Sequence, residues 1–450
     1  MTARNMLFLG LGCVVAACGT DDDPGGGGGD ETSTTFTVRL QNRGPTPTLA
    51  GSGAFAVPDG ASGPGPIGPG GAYEFDFPAA PGHRLSFATM FVPSNDLFYG
   101  PDGEGIALFD AGGQPVTGDV TGQVELWDAG TEIDQEIGVG ADQVMRQMGP
   151  DSGDADPDST VRLVTDRPNL PALTDVLRVT LAAVDEGGYF RFTARIENVS
   201  TPTTLQTSDP GELAQQAVPL SPGVYAVHTG SDPLFTEGEA DRGLGLEAIA
   251  EDGTPTDLAA ALDAETGVTI LGSPGVFAVA NPGDDLFSVG APDRGQGLEA
   301  IAEDGSPGEL AGALQGVLPQ SGLFNTPVDA GSPGPLPPGQ AYEFSVTAEV
   351  GQRLHVITMV VPSNDWIISL PADGIDLFEA DGSPVSGDQG SALVVYDLGT
   401  EVDMPIGFGL DQVQFQAGPD TGAADPNDTI RGVGEFADPS NLFELIVTPQ

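Results

Sequence analysis

A duplication constrains this chain more than any other feature. Residues 90–162 align with residues 359–431 at a constant offset of 269 without a gap, and 37 of these 73 positions are identical. The same offset reaches back through Tyr73-Glu74-Phe75 and Tyr342-Glu343-Phe344, and to Ser52-Gly53 and Ser321-Gly322. A chain that repeats this much must build the same core twice. One strand motif recurs at a different offset: residues 36–42 match residues 192–198 at 156. The difference of 113 residues (269 less 156) reads as an insertion in the second copy. That insertion is itself a tandem repeat, because residues 221–262 match residues 273–314 at an offset of 52 with 27 of 42 identities.

The large copies carry β patterning. Phe36, Val38 and Leu40 alternate with Thr37, Arg39 and Gln41, as in a strand with one buried face. Residues 85–92 and 354–361 are apolar runs stopped by proline, as expected of central sandwich strands. With 66 Gly and 40 Pro, many turns are expected, which argues for short strands over long helices. The small repeats differ. Residues 246–251 and 257–262 use helix formers with apolar residues three or four apart, separated by Gly253-Thr254-Pro255. The expectation is an all-β chain of two antiparallel β-sandwich domains, the second with a repeat insertion containing short helices. Its boundaries fall at 36–188 for the first sandwich and 189–450 for the second, with the insertion at about 206–320.

The N-terminus reads as an address. Arg4 precedes a short apolar run over residues 6–17, too short to span a bilayer, which ends in Val15-Ala16-Ala17-Cys18. That ending has the form of a lipobox, so residues 1–18 are expected to be a lipoprotein signal peptide with Cys18 lipidated. Residues 19–35, rich in aspartate and glycine, would be a flexible tether. Gly19 in place of aspartate favours an outer-membrane or cell-surface location. Cys13 would leave with the signal, and no thiol would then remain for a disulfide or a thiolate metal site. Acidic residues outnumber basic ones 66 to 14, and the net charge of −52 opposes nucleic-acid binding.

Two motifs occur in the same order in both copies. Pro93-Ser94-Asn95-Asp96 and Trp127-Asp128-Ala129-Gly130-Thr131-Glu132 are matched by Pro362-Ser363-Asn364-Asp365-Trp366 and Tyr396-Asp397-Leu398-Gly399-Thr400-Glu401. They resemble the spondin N-terminal domain of F-spondin and mindin, over about residues 36–185 and, around the insertion, 189–450. The resemblance implies an antiparallel sandwich with a calcium site at one end and a role in adhesion, with a matrix protein or a polysaccharide as partner. It departs from the family at Leu97, where tryptophan is usual, at Tyr396-Asp397-Leu398, and at Glu132 and Glu401, which stand for aspartate. The implied metal ligands are Asp96, Asp128 and Glu132 in the first copy and Asp365, Asp397 and Glu401 in the second. Calcium takes six to eight oxygens, which loop carboxylates can supply. Turn aspartates also cap their own backbone with no metal at all. The acidic stretch at 151–158 keeps only part of its charge in the other copy and reads as a solvated loop.

Catalysis has little support. His83, His228 and His355 have Gln352, Ala280 and Ser86 at the repeat-related positions, and no serine lies in a nucleophile elbow. Zinc would need clustered nitrogen or sulfur ligands, which are missing from the sequence. The expectation is a non-enzymatic, calcium-stabilised surface binding or adhesion lipoprotein, anchored to the membrane by its N-terminal lipid. The alternatives are a structural envelope protein without a specific ligand, and an unrecognised hydrolase.

Overall fold

The computed structural model describes residues 33–434, 436 and 438–450. The proposed signal peptide, Cys18 and most of the tether lie outside the described residues. The chain is all-β, with four short helices among the described residues. No helix there is long and apolar enough to cross a membrane.

The architecture follows from one hairpin. Leu177–Asp185 and Phe190–Asn198 are joined by residues 186–189 and pair antiparallel, with Asp185 opposite Phe190. Gly187 and Gly188 adopt positive φ (89° and 115°), and the Asp185 carboxylate accepts from both of their N–H groups. So short a turn forces its two strands to be neighbours. Phe190–Asn198 then pairs with Ala72–Ala79, which completes a four-stranded sheet of the first sandwich.

The equivalent strand at the start of the chain, Thr34–Asn42, crosses over to the second sandwich. It lies between Ala341–Ala348 and Phe443–Pro449, with Val38 opposite both Phe344 and Val447. Its inward residues Phe36, Val38 and Leu40 are fully buried with Tyr342, Val346, Leu445 and Val447. The expected boundaries at 36–188 and 189–450 are therefore corrected, because each first-strand motif serves the other sandwich from the one its position suggests.

The insertion is corrected as well. Leu220–His228 pairs with Leu49–Phe55 and with Arg84–Phe91, inside the second sheet of the first sandwich. Gly275–Ala280, its counterpart, pairs with Gln320–Phe324 and Arg353–Val361 in the second sandwich. Helices α1 (Leu246–Asp252) and α2 (Thr256–Ala264) pack Leu246, Ile249, Leu258 and Leu262 on the outer face of the first sandwich, against Phe98, Trp127 and Val224. Helices α3 (Leu298–Asp304) and α4 (Gly308–Leu314) do the same in the second, against Val276, Ile357 and Tyr396. The small repeats are thus one strand and one helical pair for each sandwich. Each unit has three layers, sheet on sheet with helices outside, and a separate core lies on each side of the larger sheet.

Candidate metal centre

Strand register builds the site. Arg84–Phe91 ends before Pro93, and the Ser94 hydroxyl donates back to Phe91 O (2.6 Å) and accepts from Leu97 N (3.0 Å). That turn delivers the short strand Leu97–Gly100, in which Leu97 lies opposite Asp128 at the end of Glu125–Asp128. Asp96, one residue before its strand, is thereby held beside Asp128. In the second sandwich Ser363 makes the same turn and Trp366 lies opposite Asp397, which brings Asp365 and Asp397 together.

The third carboxylate is Asp134, and in the second copy Asp403. Asp96, Asp128 and Asp134 offer oxygens within 4.8 Å of one another, as do Asp365, Asp397 and Asp403. Glu132 and Glu401 do not join them, which corrects two of the six ligands expected. Their backbone N–H groups donate to Asp96 (3.2 Å) and Asp365 (3.1 Å), while their side chains turn away and accept from Gly153 N (2.6 Å) and Gly422 N (2.8 Å). The physical reason is that the N–H groups of Gly153 and Gly422, in the facing loop, take up the Glu132 and Glu401 carboxylates instead. Asp134 lies outside the motif, and its recurrence as Asp403 at the offset of 269 is the one sequence signal that marks it.

Asp96 and Asp128 are completely buried, Asp365 likewise, and Asp397 is 3% exposed. Burial and the neighbouring Asp128 push Asp96 up to about 8. Burial, Asp365 and Asp403 push Asp397 up to about 7, and burial raises Asp365 too. One oxygen of Asp96 and one of Asp365 have no hydrogen-bond partner. A buried carboxylate left so costs free energy unless it is protonated or meets a cation. The donor set is all oxygen, which suits calcium or magnesium rather than zinc.

The two triads differ in their countercharge. In the first, Arg162 lies 2.8 Å from Asp128 and 2.6 Å from Asp156, and Arg167 pairs closely with both Asp128 and Asp134. In the second, Arg431 repeats Arg162, at 2.5 Å from Asp397 and 2.6 Å from Asp425. The counterpart of Arg167 is Phe436, stacked edge-on against Trp366 at 6.0 Å. The Trp366 indole N–H donates to Asp403 (2.7 Å). Trp366 with Phe436 stands where the first sandwich has Leu97 with Arg167, so the second triad has one arginine fewer. The second triad therefore suits a calcium ion better than the first: Arg431 alone faces Asp397 and Asp403, whereas Arg162 and Arg167 both face Asp128 and Asp134.

The histidines are structural neighbours of one another's positions. His228 Nε2 lies 2.9 Å from the Ser86 hydroxyl, with its Nδ1 on Gly230 O (2.7 Å). Both residues are buried. His355, which replaces Ser86, fills the same space from the opposite strand, where Ala280 replaces His228. A Cβ added at Gly105 would lie 2.9 Å from His228 Nε2, and one at Gly374 would lie 2.8 Å from His355 Nε2. One imidazole per sandwich under the same glycine turn reads as packing rather than as a Ser–His pair open to a substrate. No family model matches the chain, and no curated protein does either.

Proposed function

We propose that this chain is a surface-displayed, calcium-stabilised binding or adhesion module, related to the spondin N-terminal domain and tethered through Cys18 at the outer membrane or cell surface. The observation that carries this reading is the Asp365–Asp397–Asp403 cluster, three converging carboxylates faced by a single arginine. Calcium bound there would join the strand ends around Asp365 and Asp397 to the loop carrying Asp403, fixing the loops at that end of the sandwich. Such a module recognises its partner with loops held on a rigid scaffold. The acidic surface, at a net charge of −52, favours a neutral or cationic partner, a matrix protein or a polysaccharide.

At roughly a hundredfold excess over its dissociation constant, an ion that binds only the native state adds about 2.7 kcal/mol. The direct test is an array of glycans and matrix proteins probed with calcium and with chelator. Saturable binding that requires calcium and is weakened by Asp397→Asn supports the reading. Saturable binding indifferent to both removes the metal from it. No binding to any member of the array favours a structural envelope protein instead.

A further inference from the structure

A second pair of carboxylate clusters lies between the small repeats and the large ones. Glu247 and Glu251 are four residues apart and share one face of α1. Asp151, from the loop of the large repeat, joins them, with oxygens of all three within 4.8 Å. In the second sandwich Glu299, Glu303 and Asp420 make the same cluster. Sequence positions about 100 residues apart in the first sandwich and about 120 in the second thus converge, through two independent repeat relationships, at offsets of 52 and 269. Both loop aspartates adopt left-handed backbone, φ 50° at Asp151 and 54° at Asp420.

Glu251 is 2% exposed, and neither of its carboxylate oxygens has a hydrogen-bond partner. Glu303 is equally buried, with one oxygen unpartnered. Glu132, the side chain turned away from the first triad, is 3% exposed, also keeps one oxygen unpartnered, and adds its charge to that of Glu251. Glu251 and Glu303 also stand in the last turn of their helices, where the backbone dipole opposes negative charge. No arginine pairs with Asp151, Glu247, Glu251, Glu299, Glu303 or Asp420 among the described ion pairs. The exposed aspartate at each cluster leaves a way in from solvent.

We propose that each cluster is a divalent-cation clip, taking calcium between helix and loop and so fastening the helical layer to its sandwich. Oxygen ligands from two helix glutamates and a loop aspartate, completed by water, give the irregular high-coordination shell that calcium accepts and magnesium does not. These clips are separate from the aspartate triads, and their ligands do not overlap.

Equilibrium dialysis of the whole chain against millimolar calcium, in about 0.15 M salt to screen the polyanion, tests the clips by count. Glu251→Gln should remove one bound calcium per chain, Glu303→Gln another, and the double variant both. Calcium should slow hydrogen exchange of the α1 amides in the wild-type chain and fail to do so in Glu251→Gln. Both glutamines keep the shape of the buried side chain while removing its charge, so the variants should fold. Asp397→Asn separates this proposal from the triad: it should leave both clip ions bound. An unchanged calcium count in Glu251→Gln and Glu303→Gln overturns the clips, whatever Asp397→Asn does.

Discussion

The two sandwiches solve one electrostatic problem in different ways. Both bury a pair of aspartates at touching strand ends, because the register of Leu97 with Asp128, and of Trp366 with Asp397, leaves them no other place. The first sandwich offsets that charge internally with Arg162 and Arg167. The second keeps Arg431 but puts Phe436 against Trp366 where the second arginine would be. Duplication kept the carboxylates and let the countercharge diverge. A repeated acidic motif therefore need not be a repeated metal site.

The largest difference to test is in connectivity. A chain beginning at residue 49 lacks Thr34–Asn42, the strand between Ala341–Ala348 and Phe443–Pro449. Losing Phe36, Val38 and Leu40, each worth about 1.5–3 kcal/mol of burial, together with both ladders should consume most of the ~5–15 kcal/mol of a typical domain. Calorimetry should then show the transition of the first sandwich alone. Two intact transitions would mean that the strand belongs elsewhere. Removing residues 210–320 should be as damaging to both units, since it takes a sheet strand and a helical pair from each.

The countercharge comes next. Arg167→Phe leaves Asp134 without its close partner and Asp128 with Arg162 only, and should destabilise the calcium-free protein by about 3 kcal/mol. Calcium should recover much of that loss in a denaturant melt. Phe436→Arg should do the reverse and diminish the response of the second sandwich to calcium. If Arg167→Phe leaves both stability and calcium response unchanged, the guanidinium is not what balances the first triad.

The pH dependence is subtler. Burial pushes Asp96 up to about 8 and Asp397 up to about 7, and it pushes Glu251 and Glu303 up to about 8. Each folded value lies above the ordinary carboxylate range, so the native state holds protons that the unfolded chain releases. The associated stability is full below about pH 4 and is lost as pH rises through 7 to 8. In chelator the melting temperature should fall from pH 5 to pH 8, and excess calcium should flatten the fall. Glu251→Gln with Glu303→Gln should give a shallower slope than the parent. An identical slope would assign the fall to general repulsion among surface carboxylates.

The smallest effect concerns the histidines. Ser86→His alone should overpack the space His228 already fills, at about 1–3 kcal/mol. Ser86→His with His228→Ala copies the second sandwich and should cost about 1 kcal/mol or less by denaturant melting. Additive losses would show that the two imidazole positions are not alternatives.

Much of this was legible in the residues. The alternation at 36–42 and the apolar runs at 85–92 and 354–361 fix strands wherever they end up, and the helices stop at Gly253 as their sequence indicates. What could not be read was the choice of partner. Residues 36–42 and 192–198 are equivalent, so either could complete either sheet, and only the two glycines at 187 and 188 announced the hairpin that decides it. The same ambiguity made strand-and-helix units look like an insertion. At the site, motif spacing found Asp96, Asp128, Asp365 and Asp397, because their proximity is a matter of register. It misassigned Glu132 and Glu401, since spacing reports where a backbone lies and not which way a side chain turns. The clusters at Glu251 and Glu303 needed two repeats to meet in space.

One calcium titration distinguishes the two triads. With Glu251→Gln and Glu303→Gln in place to silence the proposed clips, calcium bound per chain is measured by equilibrium dialysis at millimolar calcium and about 0.15 M salt. One ion is expected, held by Asp365, Asp397 and Asp403. Asp397→Asn should abolish it, and Asp128→Asn should leave it in place. Loss of the ion in Asp128→Asn with retention in Asp397→Asn, or no bound ion in the parent, would show that the second triad is not the calcium site.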